Sequence, residues 1–403
     1  MNRLFFALFL GIVFIPLHAQ IEWRNDRTGI YANETGLLKS WPANGPELLW
    51  YYDGLGDGHS SVGIASDKVY VTGMLDGKGY LYVFDLNGKL LNRVMYGDEW
   101  TESYAGTRAT PIVNNEKVYL MSGAGDLVCL DENTLNVIWK RNIFIDFNSE
   151  NIQWGFNESP LIIEEKLIIT PGGKEHNVVA LNKYTGELIW SSSAKGDLSA
   201  YCSPLFIDDQ EIPLIVTMTA EHIVGLDAST GKMLWAVENK NTNDIHANTP
   251  VYANNMILCA SADKSCTMLQ LSEGGSNAKT AWEIPELDNL IGALVKIGDY
   301  IYGSSSGYNA ARNWYCVDWA TGEIIYRDRQ LAMGVSIAAD NMLYCYTDRG
   351  DMALVKPTPE KFEVISKFRI TKGTDQHWAH PVIFKGVLYV RHGDTLMAYT
   401  IKN

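Results

Sequence analysis

The sequence lacks the cysteine patterns that bind zinc or attach haem. Its six cysteines include no adjacent pair and no CxxC, so neither kind of site is indicated. The runs LVCLD, MILCAS, WYCVD and MLYCYT place four of the thiols in alternating apolar segments, where a small buried residue is the usual state. Only Cys259 and Cys266 are spaced to pair within a hairpin. We therefore expect core thiols, with that one disulfide as the alternative.

Basic residues are also scarce. The chain has 33 Lys and Arg against 47 Asp and Glu, which gives a formal net charge of −14 and argues against nucleic acid as a partner. With 46% hydrophobic residues, and 35 Gly against 13 Pro, the composition is that of a globular protein rich in turns. A length of 403 residues suits two average domains or one closed all-β domain, and we expect a single domain.

Long hydrophobic runs are missing beyond the first residues of the chain. Residues 1–19 have the features of a signal peptide: Asn2 and Arg3 precede an apolar run over residues 4–17, and Ala19 ends a small-residue cleavage site. Pro16 interrupts that run, which is shorter than the roughly 20 residues of a spanning helix. We therefore predict an exported mature domain, residues 20–403, without a transmembrane segment and located in the periplasm or secreted.

A nine-residue pattern recurs along the chain. Residues 227–235 read DASTGKMLW, and residues 131–139, 182–190 and 318–326 follow the same plan. Asp or Asn opens a tight turn, Gly accepts a positive φ, and an apolar strand follows that ends in Trp or Tyr. Repetition of this kind indicates that one structural unit is used several times.

A second marker, a small residue usually followed by Pro, precedes an alternating strand in each unit. Its second residues are Val62, Pro111, Pro160, Pro204, Pro250, Ala293, Ser336 and Pro381. Successive positions differ by 43 to 49 residues, a period that matches four short strands per unit. Four-stranded antiparallel units repeated around an axis form a β-propeller.

The two ends of the chain favour a closed ring over a solenoid. The last unit, residues 377–401, contains only three strands, and residues 48–52 (LLWYY) supply a strand of the missing kind. The two ends of a solenoid do not meet, so a solenoid would not need a strand from one end of the chain to complete the unit at the other. The predicted fold is therefore an all-β, eight-bladed β-propeller with four-stranded antiparallel blades, closed by an N-terminal strand that completes the last blade.

The tryptophans at the ends of these strands are predicted to dock neighbouring blades. Each would bury a large apolar surface, contributing about 2–3 kcal/mol, and its indole N–H would donate to a turn carbonyl of the next unit. The residues assigned to this role are Trp50, Trp139, Trp190, Trp235 and Trp282.

The pattern D-x-x-T-G-x-x-x-W, present in residues 227–235 and nearly intact in residues 182–190, resembles the tryptophan-docking repeat of the PQQ-repeat (quinoprotein alcohol dehydrogenase-like) propellers. That family includes pyrroloquinoline-quinone (PQQ) dehydrogenases and the propeller lipoprotein of the outer-membrane barrel assembly machinery. The resemblance extends from about residue 36 to the end of the chain. Units one, five and seven depart from the motif, and no Cys near the cleavage site could carry a lipid.

Some members of this family bind a cofactor, but this sequence lacks part of the pattern that they use to hold it. The quinone dehydrogenases hold PQQ between a Trp and a disulfide of adjacent cysteines, together with a calcium ion, whereas this sequence has no adjacent cysteines. We therefore expect no cofactor, with PQQ and calcium as the alternative.

In a propeller, the residues before each first strand converge around the axis, so equivalent positions of different units become neighbours. We assign a binding site at this channel mouth to His59, Arg108, Asn157, Glu158, Tyr201, His246, Asn248, His377, Trp378 and His380. Histidine nitrogens and Glu158 could hold a metal or a substrate there. The alternative is that these side chains bind only strand ends and water.

Two further segments, residues 96–104 and 300–315, combine aromatic and polar residues in a way that suits sugar or peptide contacts. Their alternative role is that of inter-blade loops packed on the surface. From these observations we predict a monomeric, non-catalytic binding or scaffold protein of the cell envelope, whose partner is a protein segment or a glycan. The alternative is a PQQ- or metal-dependent oxidoreductase that acts on alcohols or sugars.

Overall fold

The computed structural model describes residues 22–291, 293–308 and 311–402, so the predicted signal peptide lies outside the described residues. The strands form eight separate sheets, each with four antiparallel strands, and one sheet carries a fifth strand that is parallel to its neighbour. This arrangement confirms the predicted eight-bladed propeller. Short chain reversals join the strands within each blade, and left-handed residues such as Asn115, Asn254 and Asn341 occupy these turns.

Two strands precede the first blade, β1 (Ile30–Tyr31) and β2 (Leu48–Tyr52). Blades one to four then follow in chain order, each running from the channel to the rim. Their strands are β3 (Gly63–Ala65), β4 (Lys68–Leu75), β5 (Lys78–Asp85) and β6 (Leu90–Asp98); β7 (Ile112–Asn114), β8 (Lys117–Met121), β9 (Asp126–Asp131) and β10 (Val137–Asn142); β11 (Leu161–Ile163), β12 (Lys166–Ile169), β13 (Val178–Asn182) and β14 (Leu188–Ser192); and β15 (Leu205–Ile207), β16 (Leu214–Met218), β17 (His222–Asp227) and β18 (Met233–Glu238).

Blades five to eight continue the same order. Their strands are β19 (Val251–Ala253), β20 (Met256–Ala260), β21 (Cys266–Ser272) and β22 (Asn277–Ile284); β23 (Val295–Ile297), β24 (Tyr300–Ser304), β25 (Trp314–Asp318) and β26 (Ile324–Asp328); β27 (Gly334–Ala339), β28 (Met342–Thr347), β29 (Asp351–Pro357) and β30 (Phe362–Arg369); and β31 (Val382–Phe384), β32 (Val387–His392) and β33 (Thr395–Thr400). One helical turn, α1 (Ile143–Asp146), and a 3₁₀ turn, Glu273–Gly275, lie between strands.

The ring is closed by β2, which pairs antiparallel with β33 as the outer strand of blade eight. Trp50 of β2 lies opposite Ala398 of β33, so the predicted exchange between the chain's two ends is confirmed. At the seam to blade one, buried Arg391 of β32 donates to the Ser60 hydroxyl at 2.6 Å and to the Thr72 carbonyl at 2.7 Å. This guanidinium therefore ties the last blade to the first.

The hydrophobic core lies between the blades, because the two middle strands of each blade carry apolar side chains on both faces. Leu127 and Cys129 of β9, for example, pack with Leu167 and Val179 of the next blade. All six cysteines are buried and free. Cys259 and Cys266 accordingly form no disulfide.

The docking tryptophans lie over the turn of the following blade. The indole N–H of Trp139 donates to the Lys183 carbonyl at 3.0 Å, and that of Trp235 donates to the Gly275 carbonyl at 3.1 Å. Trp50 and Trp282 make equivalent bonds to the carbonyls of Leu86 and Trp319. Trp190 is also buried, but its indole N–H has no partner in the described part of the chain.

The small residues of the second marker link the inner strands around the axis. The backbone N–H of Ser61 donates to the Thr110 hydroxyl at 3.2 Å, and that of Thr110 donates to the Ser159 hydroxyl at 3.0 Å. The N–H of Ser159 in turn donates to the Ser203 hydroxyl at 3.0 Å. These residues are small and hydroxylic because each hydroxyl satisfies a buried backbone donor of the preceding blade.

Residues 22–31 run through the central channel, a feature that the repeat pattern does not indicate. β1 pairs parallel with the inner strand β27, so this segment descends from the face where the loops lead into the inner strands. Glu34 then accepts the backbone N–H groups of Lys385 and Gly386 at the opposite face. The chain itself therefore fills the channel below its mouth.

Two arginines anchor this channel segment. Arg24 donates to Nδ1 of His380 at 3.0 Å, and Arg27 donates to the Pro160 carbonyl at 2.7 Å; both side chains are buried. Residues 24–27 all have φ between 45° and 65°, although none is glycine. A left-handed backbone costs roughly 1–2 kcal/mol per such residue, so the surrounding blades must hold this turn in place.

Candidate binding site

A cavity of about 300 Å³ lies at the channel mouth, above the channel segment. We call this cavity the cup. It is formed by loops that lead into the inner strands, and Trp23 of the channel segment is part of its lining. Because Trp23 donates its indole N–H to the Thr249 hydroxyl at 3.0 Å, it is fixed to the wall of blade five.

The structure brings six of the ten predicted site residues together in the lining of the cup. They are His59, Arg108, Asn157, Tyr201, Trp378 and His380. The prediction from equivalent repeat positions therefore locates the cavity, although the binding role of these residues stays a prediction.

Six aromatic side chains line the cup: Trp23, Tyr104, Trp154, Tyr201, Tyr308 and Trp378. Trp378 lies between His59 and Tyr104, with 5.0 Å between its ring centroid and each of theirs. Tyr104 and Tyr308 are 48% and 54% exposed, which makes them the most exposed aromatic rings of the site. The wall thus presents several flat apolar faces that already pack against one another.

The side chain of His59 is buried in this wall, and its ring makes no hydrogen bond to a described residue. Both ring nitrogens lack a partner among the described residues, and Nε2 lies 3.7 Å from Oδ2 of Asp375. Burial, together with the nearby positive charges of Arg391 and Arg108, lowers the pKa of His59 to about 3. The ring is therefore neutral at physiological pH, and its contact with Asp375 is not an ion pair.

Arg108 is the one formally charged side chain in the lining of the cup. Its guanidinium donates to the backbone carbonyls of Ser103 and Tyr104, and its Nε is buried without a partner. No carboxylate in the described ranges forms an ion pair with it. Desolvation lowers the pKa of Arg108, and the field of Glu99 opposes that shift.

His380 occupies the base of the cup and is already engaged. Its Nδ1 accepts from Arg24, and its Nε2 lies 3.3 Å from the Ile291 carbonyl. Burial and the charge of Arg24 hold the pKa of His380 well below its usual range. His380 thus links the channel segment to the cup as a neutral ring.

Four predicted site residues lie outside the lining of the cup. The Glu158 carboxylate accepts the backbone N–H of Thr170, and desolvation raises its pKa to about 8. His246 bonds to Ser261 and Ala220, and Asn248 donates to the Asn289 carbonyl.

The fourth residue, His377, stacks on His392 with 3.7 Å between ring centroids and lies 2.6 Å from the Tyr346 hydroxyl. Glu158, His246 and Asn248 thus bond to backbone groups, whereas His377 contacts other side chains. Successive residues of an extended chain point in opposite directions. The sequence alone does not show which of two neighbouring residues faces the cup, so the prediction included both kinds.

The suggested metal site finds no support in the donor geometry. Within the part of the chain that the structure describes, no three His, Cys, Asp or Glu side chains lie close enough to hold a metal ion. The predicted histidines instead have separate roles: His246 and His380 bond to backbone carbonyls, and His377 stacks on His392.

Sequence reasoning missed several lining residues. Trp154, Asn243 and Leu290 lie ahead of the repeat markers in their loops, at positions that are not equivalent between units, and Trp23 precedes the first unit. The aromatic segments over residues 96–104 and 300–315 did carry a signal, since Tyr104 and Tyr308 come from them. Their composition was the available clue.

Comparison with known protein families identifies the fold's relatives. The chain matches the family described as outer membrane protein assembly factor BamB over residues 25–176 and 152–359. It belongs to this PQQ-repeat family. A search of curated proteins finds no significant match. Among the described residues, no helix has the length and apolar character needed to cross a membrane.

Solved structures show the same architecture at low sequence identity. BamB from Moraxella catarrhalis is 15% identical, with a TM-score of 0.63 over 88% of this chain and 99% of that one. The quinohemoprotein alcohol dehydrogenase from Comamonas testosteroni is 12% identical, with a TM-score of 0.66 over 93% and 79%. The computationally designed Ika8 protein is 13% identical, with a TM-score of 0.59 over 88% and 100%. At these identities, the likeness establishes the fold alone.

The cup does not fit the quinone arrangement of the dehydrogenases. Its lining includes no cysteine and no carboxylate, so it offers neither a vicinal disulfide nor acidic ligands for calcium. Cys202 is buried beside the cup, and its thiol lies against the carbonyls of Ser203 and Asn248. We therefore derive no chemistry through PQQ at this site.

Proposed function

We propose that this protein is a non-catalytic binding or scaffold protein of the cell envelope, and that the cup holds part of a protein segment or a glycan. The observation that carries the proposal is the cup itself, a cavity of about 300 Å³ whose wall combines six aromatic rings with an arginine that forms no ion pair among the described residues. A mostly apolar concave site with a few convergent polar groups is typical of a ligand site.

The side chains around the cup favour binding over catalysis. Ser159 and Ser203 line it, but their hydroxyls accept backbone N–H groups of the preceding blades. His59 makes no hydrogen bond to a nucleophile in the described ranges, and His380 bonds to Arg24. A nucleophile needs a base within hydrogen-bond reach, and the lining shows no such pair.

Residues 303–307 read G-S-S-S-G, the short pattern of a serine hydrolase elbow. Ser305 is 1% exposed, and its hydroxyl accepts the backbone N–H of Asn313. A nucleophile elbow would instead expose the hydroxyl at the start of a helix. Ser305 therefore stabilises the loop through this hydrogen bond and does not have the exposure of a nucleophile.

Membership of this family supports a location in the cell envelope. Its description names an outer membrane protein assembly factor, and a scaffold role beside protein partners agrees with that description. With the predicted signal peptide over residues 1–19, this favours a mature domain of residues 20–403 in the periplasm or outside the cell. We expect the mature protein to be monomeric.

The proposal is tested by ligand binding to the intact mature protein. Tryptophan fluorescence would be followed while envelope glycan fragments and peptides are added, for the wild type and for Trp378→Ala. Tyr184→Ala is the matched control, because Tyr184 is 38% exposed on a turn and does not line the cup. Saturable binding that Trp378→Ala abolishes and Tyr184→Ala preserves would support the site.

The alternative oxidoreductase function predicts a different result. Purified protein would be supplied with PQQ and calcium and assayed with alcohols or sugars and a dye acceptor. Turnover under these conditions would overturn the non-catalytic assignment. Cell fractionation and N-terminal sequencing of the mature protein would test the envelope location separately.

A further inference from the structure

The lining of the cup contains no carboxylate, although Asp375 lies close by, with its Oδ2 3.7 Å from Nε2 of His59. Arg108 is the one formally charged residue in this lining. The guanidinium bonds only to neutral carbonyls in the described structure, those of Ser103 and Tyr104. A guanidinium can bind a carboxylate through two parallel N–H donors, which gives both strength and direction. The wall therefore offers a site for one negative group of a ligand.

The rest of the wall suits a ring with apolar faces and polar edges. Trp378, Tyr104 and Tyr308 present aromatic rings at the cup, and the last two are about half exposed. The C–H groups on one face of a sugar ring carry slight positive charge and pack against the negative face of an aromatic ring. A sugar ring could stack on these side chains, and it has no backbone N–H and C=O groups that would need hydrogen-bond partners.

Neutral polar side chains complete this surface. The Asn157 amide lines the cup and makes no hydrogen bond within the described ranges, and it provides both donors and an acceptor. Buried His59 is neutral and has no hydrogen-bond partner there. Groups that both donate and accept match sugar hydroxyls, which do the same.

The depth of the cup restricts the ligand to an end group. Trp23 and the channel segment lie beneath the cavity, so a long chain cannot pass through it. Its volume of about 300 Å³ is at the small end of ligand pockets, which span roughly 300–1,000 Å³. A terminal ring fits this space better than an extended segment.

We propose that the cup binds the terminal residue of a glycan, a sugar ring that carries one carboxylate. The ring stacks on the aromatic wall and the carboxylate pairs with Arg108. This inference rests on the proposed binding function and specifies its ligand. A peptide with a free C-terminal carboxylate is the competing ligand, but it would also need partners for its backbone N–H and C=O groups. Among the described residues, the strand that pairs with the channel edge of an inner strand, β1, belongs to the chain itself.

The test compares matched ligands on the intact mature protein by calorimetric titration. The probes are a disaccharide of galacturonic acid, the corresponding disaccharide of galactose, and the dipeptide Ala-Trp with a free or amidated carboxyl group. The variants are Arg108→Gln and, as a control, Arg349→Gln. Arg349 is an exposed arginine on the turn between β28 and β29, away from the cup lining. Thermal unfolding verifies that each variant is folded.

We expect the acidic disaccharide to bind more tightly than the neutral one. Arg108→Gln should weaken the acidic disaccharide by about 10- to 100-fold, as expected for a lost charge-assisted pair, while Arg349→Gln leaves it unchanged. Equal binding of both disaccharides, insensitive to Arg108→Gln, would overturn the acidic-sugar assignment but preserve a binding cup. Binding of the free dipeptide alone would also overturn it. If Trp378→Ala alters the binding of none of the envelope fragments and peptides, the proposed function itself fails.

Discussion

The indole ring of Trp190 packs directly against Gly231 of the next blade. A Cβ atom on Gly231 would lie 2.4 Å from Cε3 of Trp190, and φ at this glycine is +73°. Trp50 meets Gly88, Trp139 meets Gly186 and Trp282 meets Gly322 in the same manner. In these four pairs of neighbouring blades, the tryptophan of one blade therefore covers the turn glycine of the next.

This contact predicts that Gly231→Ala destabilises the protein more than a comparable glycine replacement. Gly36 is the control, because its φ is +69° and a Cβ there would meet nothing within 4 Å. Gly36→Ala should cost about 1–2 kcal/mol from backbone strain, whereas Gly231→Ala should add about 1–3 kcal/mol from overpacking. Urea unfolding measures both losses. Equal losses would show that the indole does not press on Gly231.

The docking tryptophans should differ in their dependence on the indole N–H. Trp235 donates to the Gly275 carbonyl, whereas the N–H of Trp190 has no partner in the described chain. Replacement by Phe removes the N–H but retains an aromatic ring. Trp235→Phe should therefore lower the free energy of unfolding by about 1 kcal/mol more than Trp190→Phe, as measured by urea titration. A larger loss for Trp190→Phe would contradict the assigned partners.

Arg391 is predicted to stabilise the closure of the ring. Its guanidinium joins blade eight to Ser60 and Thr72 of blade one, and burial lowers its pKa to about 10. Arg391→Met should lower the free energy of unfolding by about 3 kcal/mol, because buried acceptors lose a charged donor. The exposed replacement Arg349→Met should change it by less than about 0.5 kcal/mol. Similar effects of the two replacements would argue against a role at the seam.

Glu158 should make the folded state less stable in alkaline solution. Desolvation raises its pKa to about 8 from an ordinary value of 4.5, so the folded chain retains a proton that the unfolded chain releases. The resulting stability is present below pH 4.5 and is lost as the pH rises through about 8. Glu158→Gln removes this contribution.

The measurement is the free energy of unfolding at pH 6.5 and 8.5, a window above the lowered pKa values of His59, His246 and His377. We expect the wild type to lose about 2 kcal/mol more than Glu158→Gln across this window. Glu99, whose pKa is raised to about 7, contributes in the same direction to both proteins. Parallel pH profiles of the two proteins would contradict a raised pKa for Glu158.

The fold could be predicted because its determinants recur. The Asp, Gly and Trp of residues 227–235 perform one local task several times, and each copy strengthens the evidence from the others. The three-stranded last unit likewise required a strand from elsewhere, and residues 48–52 had the Trp-ending form of an outer strand. Periodicity thus determines the number of blades and the site of closure.

The site could be predicted only in part, because the loops do not recur. Because successive side chains point in opposite directions, Asn157 lines the cup and Glu158 does not. In the same way, Ile245 and Ala247 line the cup, and His246 between them does not. The channel segment gave no periodic signal at all. Arg24 and Arg27 read as ordinary polar residues in the sequence, and only the assembled ring supplies the carbonyls and His380 that bind them.

Closure through β2 and β33 also makes completion of the fold depend on a long-range pairing. These strands are separated by nearly the whole chain, and pairing over such distances is slow because a large loop must first be closed. The channel segment precedes β2 in the chain, and it too reaches its final position only when blades seven and eight are present to contact it. Until β1 and β2 are paired, the edges of blades seven and eight that they cover are open to other chains.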